Sequence, residues 1–167
     1  SKVSRVKADL RSAATALESA KENLEKTKSL NDANLQTAET ALANTVRSLK
    51  TDMFNGLNTA NELLEVSSLF RGSAGLYKDE IGRRGEAEKR DAETALEGAI
   101  DAYVAMEDTY ESTHDTAKKA EDALDKTLIV LNLTDPSYYM PQQTLSGYIQ
   151  SISQNLAMVR GGLSGME

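Results

Sequence analysis

The chain has 167 residues, of which 27% are charged and 5% aromatic, with no Trp, no Cys and a net charge of −7. That length sets one domain, the scarcity of rings denies it a large globular core, and only two prolines, Pro136 and Pro141, stand against helix almost throughout. The missing Cys excludes disulfides, thiolate metal sites and thiol chemistry, and no uninterrupted apolar run is long enough to cross a bilayer. Neither end carries the apolar stretch of a classical signal peptide, which leaves the cytoplasm or a non-classical export route. Ser1 fits a removed initiator Met or a piece cut from a longer protein.

The first helix is expected from about Lys2 to Leu69. Val3, Leu10, Leu17 and Leu24 hold one seven-residue register, with Val6, Ala13 and Ala20 beside it. Leu35, Leu42 and Leu49 hold the next, after an eleven-residue step that relaxes a left-handed supercoil. Asn31-Asp32 lies in that step and is the place where the helix would divide in two; the periodicity favours continuity. Gly56 costs helix about 1 kcal/mol, but Leu57, Ala60 and Leu64 resume the pattern, so a kink at most is expected there.

A break is expected near residues 67–75, where Gly72 and Gly75 lie three apart among serines. The second helix then opens at Leu76 or at Glu86, since Gly82-Arg83-Arg84-Gly85 is also averse to helix. From Ala92 to Leu131 a heptad runs without interruption. Ala92, Ala99, Met106, Thr113, Ala120 and Thr127 form one row, and Leu96, Tyr103, Tyr110, Ala117, Leu124 and Leu131 the other. A rod ending near Leu133, joined to the first helix by a short turn, gives a long antiparallel coiled-coil hairpin over residues 1–135.

Beyond Pro136 no charged residue occurs before Val159. A Tyr/Pro connector (Tyr138, Tyr139, Met140, Pro141) precedes a shorter amphipathic third helix carrying Leu145, Tyr148, Ile149, Ile152, Leu156 and Val159. A polar face made of Gln, Ser and Asn implies that this helix lies against protein, its own hairpin or a neighbouring subunit. Tyr138, Tyr139, Leu145, Tyr148, Ile149, Ile152 and Leu156 are therefore the expected interaction surface. Gly161, Gly162 and Gly165 are expected to end the helix in a mobile tail. The fold class is all-α: a two-helix hairpin plus a C-terminal helix over 136–167.

Chemistry finds little footing. From Asp91 to Asp125 eleven acids face two bases, a surface that repels a phosphate backbone and excludes nucleic acid. Glu111-x-x-His114, with Glu107 a turn earlier, has the spacing of dinuclear carboxylate sites, but those need two such motifs and this chain has one His. It reads as a solvated pair on the flank of the seam. No phosphate loop or nucleophile elbow is present. The bases Arg83, Arg84, Lys89 and Arg90 read as partners of Glu80, Glu86, Glu88 and Asp91. No catalytic residue, metal or cofactor is expected.

Leu69-Phe70-Arg71-Gly72, then Ser73-Ala74 and a helix with Tyr77, resembles the turn of the WXG100 and LXG helical hairpins exported by type VII secretion. Phe70-Arg71-Gly72 stands where those families have Trp-x-Gly, and the resemblance implies a hairpin turn at Phe70, Gly72 and Gly75. Tyr103-x-x-x-Glu107 matches the letters of their export signal but lies within a helical heptad and is not assigned that role. The sequence thus points to a non-enzymatic protein that binds helices, its own or a partner's, as an oligomer or complex. The alternatives are a filament subunit assembling through the uncharged C-terminal helix, and a helical sensor domain of a receptor.

Overall fold

The computed structural model describes residues 1–167 and is helical throughout, without a strand. Its elements are α1 (Lys2–Leu64), α2 (Glu86–Val104), α3 (Tyr110–Asn132) and α4 (Gln142–Met166). No helix is long and apolar enough to cross a membrane. The residues form two compact units, Ser1–Ala43 and Asn44–Glu167.

The first unit is helix alone, and every residue from Ser1 to Ala43 is exposed. Asn31-Asp32 does not interrupt it. Several of its hydroxyls turn back on their own backbone: Thr15, Thr37 and Thr40 donate to the carbonyls of Arg11, Ala33 and Gln36, four residues earlier, at 2.8–3.0 Å.

The second unit holds the whole buried core. Residues 44–64 of α1 contribute Leu49, Met53, Leu57, Ala60, Leu63 and Leu64 to it. Gly56 stays helical because it is a point of close approach. A Cβ there would stand 2.8 Å from Leu124 Cδ1 of α3 and 3.3 Å from Asn155 Cβ of α4. The helix stops at Leu64, five residues short of expectation, because Glu65 takes a left-handed conformation (φ 48°).

The second long rod expected to reach Leu133 is two helices. Five residues, 105–109, separate α2 from α3, and Thr109 caps the new helix by accepting from the Ser112 amide at 3.2 Å. The Ser112 hydroxyl in turn accepts from the Glu107 amide at 3.0 Å, so the break is stitched from both sides. The two helices pack antiparallel on each other. Gly82, just before α2, donates its amide to Thr134 Oγ1 just after α3, at 3.0 Å, and Arg84 pairs with Asp135 at 2.6 Å. Ala92, Leu96 and Ala99 of α2 and Ala117, Ala120 and Leu124 of α3 are all buried. The heptad was continuous because both arms of this inner hairpin present the same small-residue seam, one to the other.

α4 packs on α3 and buries Leu145, Ile152, Leu156, Val159, Leu163 and Met166. Glycines 161, 162 and 165 do not end it, contrary to their helix-averse character. Crowding accounts for Gly162, where a Cβ would meet Leu49 Cδ1 at 2.7 Å, whereas one on Gly165 would make ordinary contact with Thr45 Cγ2 at 3.4 Å and one on Gly161 would meet nothing. The missing side chain at Gly162 lets α4 lie close against the end of α1. Arg160 clamps the α3–α4 pair from outside, donating to Glu121 (2.7 Å) and Asp125 (3.2 Å), and the Tyr110 hydroxyl donates to the Met166 carbonyl at 2.8 Å.

Candidate interaction surface

The first unit carries an apolar row along one side of its helix. Val3, Val6, Leu10, Leu17, Leu24, Leu35 and Leu42 each leave 40–70% of their surface in water. At ~100° per residue these seven fall on one side of a single helix, the eleven-residue step included, because eleven residues make almost three full turns. Soluble chains rarely leave such a contiguous apolar strip bare, and one of this kind marks a place where another helix packs.

The residues read as a turn are held by polar side chains from the end of α1. Asn61 is fully buried and uses all four of its hydrogen-bonding valences. It accepts from the amides of Val66 and Ser67 and donates to the carbonyls of Ser67 and Arg71, at 2.9–3.1 Å. Asn58 accepts from the Arg71 amide at 2.9 Å. The Glu65 carboxylate accepts from the Gly75 amide (2.9 and 2.8 Å) and from the Ser73 hydroxyl (3.1 Å). The Gly75 amide chiefly holds that carboxyl below its ordinary pKa near 4.5. Gly75 is left-handed (φ 79°) with nothing within 4 Å of a Cβ position, whereas Gly72 lies 3.0 Å from Glu65 Oε1 by the same measure. Phe70 packs on Phe54 and Tyr103, ring centroids 5.6 and 6.0 Å apart.

Helix resumes only at Glu86, so Phe70, Gly72 and Gly75 belong to a 21-residue connection (residues 65–85). Within it Ile81 is buried, and the Tyr77 ring meets Tyr148 of α4 edge-on at 5.5 Å. Sequence reasoning missed Asn58, Asn61, Glu65 and Phe54. Asn58 and Asn61, three apart near a helix end, are the signal that was there to be read.

The C-terminal surface divides. Leu145, Ile152 and Leu156 are buried against the chain's own helices, so they are not a face held open for a neighbouring subunit. Tyr148 and Ile149 are partly buried. The Tyr148 hydroxyl donates to Glu62 Oε1 at 3.0 Å, and burial together with that carboxylate pushes its pKa well above the tyrosine norm. Only Tyr138 (90% exposed) and Tyr139 (57%) stand in water, packed on each other.

The remaining motifs have structural settings. His114 stacks on Tyr110 (5.8 Å, 12°), with Nδ1 3.7 Å from Asp115. No group of three or more His, Asp or Glu side chains is gathered as a metal site would need. Among the tip bases, Arg83 pairs with Glu80 at 2.8 Å, Arg84 with Asp135, and Lys89 donates to the Lys78 carbonyl. Glu80 was expected among their partners; Asp135 was not. Compared with protein-family models, curated proteins and solved structures, the chain matches none of them.

Proposed function

We propose that this chain is a non-enzymatic interaction protein that engages other helices through the apolar row on residues 1–43. One observation carries the reading: seven aliphatic side chains from Val3 to Leu42 share one helix face and all are exposed. Burying a Leu or Val side chain is worth roughly 1.5–3 kcal/mol, so a second helix laid along the row has ample driving force. Chemical cross-linking of the native protein, read by mass spectrometry, is the test. Cross-links from a helical partner or a second copy to lysines of residues 1–43, lost in Leu10→Asp/Leu17→Asp, support the reading; a pattern that ignores those substitutions overturns it.

A more specific version makes the protein a substrate or partner of type VII secretion, and it rests on the resemblance at Phe70-Arg71-Gly72. Its test is export from a host carrying such a system, compared with the same host lacking the system's ATPase. A filament built through α4 is the second reading, and it would have to use Tyr138, Tyr139 and the outer side of the helix, since Leu145, Ile152 and Leu156 are buried within one chain.

A further inference from the structure

We infer that the partner of residues 1–43 is a second copy of the same segment, laid antiparallel. This rests on the apolar row being an interaction surface, and deepens it by naming the occupant. The argument comes from the charges that border the row. Lys7, Ala14, Lys21, Glu25, Asp32 and Glu39 all lie on one flank, within about 40° of one another at ~100° per residue, and all are exposed. Their order is a mirror about residue 23: Lys7 and Lys21 stand at the same distances from it as Glu39 and Glu25, while Asp32 stands opposite Ala14.

A twofold axis at residue 23, running across the two helices, brings this flank against itself. Lys7 then meets Glu39 of the copy, Lys21 meets Glu25, and the reciprocal pairs form by symmetry. Along the row Val3 falls level with residue 43 and Leu10 with residue 36 of the copy, each one residue from Leu42 and Leu35. The parallel arrangement has no such match. It sets this flank against the opposite one, which holds Lys2, Arg5 and Asp9 and then only uncharged residues up to Ala43, so that Lys7 meets a base and an acid together, Lys21 meets no charge, and the carboxylates of Glu25, Asp32 and Glu39 meet no base.

The full-length chain tests this directly, since it has no native cysteine. Sedimentation over a dilution series should show a reversible dimer. Under mild oxidation Leu24→Cys, near the axis, should form a disulfide-linked dimer, whereas Val3→Cys should not. In the antiparallel pair the two Val3 positions are separated by about 60 Å of helix at ~1.5 Å per residue, against a reach of ~7 Å for a disulfide. Lys7→Glu/Lys21→Glu should weaken the dimer by roughly tenfold, since four exposed pairs become repulsive, and adding Glu25→Lys/Glu39→Lys should restore it. Circular dichroism confirms that each exposed substitution leaves the fold in place. Four results overturn the proposal: a monomer at every concentration, efficient linkage through Val3→Cys, no linkage through Leu24→Cys, or a dimer indifferent to the charge reversal. A monomer that still cross-links to another helical protein along Val3–Leu42 overturns only this inference and leaves the broader reading standing.

Discussion

Asn61 shows how one polar side chain can order a long connection. Its amide closes four hydrogen bonds to backbone groups of residues 66–71 while the residue is fully buried, so truncation strands donors and acceptors that water cannot reach. Asn61→Ala should cost about 2–4 kcal/mol in urea unfolding; a loss below about 0.5 kcal/mol, the scale of an ordinary surface change, would show that the connection holds itself. Glu65 acts beside it through charge. Its carboxyl has a lowered pKa in the folded chain, so the stability it contributes is fully present above the ordinary value near 4.5 and drains away as pH falls through the folded value. Glu65→Gln should therefore flatten the acid limb of the stability profile; an unchanged limb would assign it to other carboxylates. The glycines supply a test with opposite signs. Gly98 and Gly147 are helical with nothing within 4 Å of a Cβ, so Ala there should stabilise by about 0.5–1 kcal/mol. Gly162→Ala should destabilise instead, because the added methyl meets Leu49. Thermal unfolding of the three variants reads the contrast, and a gain at Gly162 would mean that Leu49 simply moves aside.

At the scale of elements, the helices themselves were legible and their breaks were not. Apolar spacing in α1 and α4 predicted both, since Leu10, Leu17, Leu24 and Leu145, Ile152, Leu156 follow the helical period whatever they touch. The turn at 105–109 was hidden because its two arms carry the same heptad phase. Nothing in Val104-Ala105-Met106-Glu107-Asp108 breaks helix by composition; the stop comes from Thr109 and Ser112 capping a new start. Thr109→Ala should accordingly cost about 1 kcal/mol, measured by chemical denaturation; no loss would mean that packing of α2 on α3 alone sets the turn. The glycine tail misled for the reverse reason. Local propensity ends a helix at Gly161-Gly162, but packing against α1 selects helix, and at Gly162 the approach of Leu49 needs the residue small. The apolar row on residues 1–43 was read from the sequence as half of a hairpin. Its exposure is a tertiary fact that no periodicity contains.

For the whole molecule, burial divides the sequence into parts whose response to one kind of insult must differ. Ile152 is fully buried on α4, whereas Leu24 leaves 70% of its surface in water. An aspartate at the first position is an unpaired charge in the core, a cost on the order of 3–5 kcal/mol against a domain stability of roughly 5–15. At the second it replaces an apolar side chain that was already wet. Ile152→Asp should thus weaken or abolish the cooperative unfolding transition of residues 44–167, a fold-level effect on the chain's own packing and not on contacts between chains. Leu24→Asp, compared at a concentration where the chain is monomeric, should leave that transition where it was. Amide hydrogen exchange supplies the independent measure. Isolated helices are marginal in water and draw their stability from packing, so in the monomer residues 1–43 should exchange far faster than the buried turns of α3 and α4. On concentrating the protein, protection should rise along Val3–Leu42 alone and remain low in Leu24→Asp. Protection that is uniform in the monomer would mean that the first unit owes its stability to something other than the packing of its apolar row.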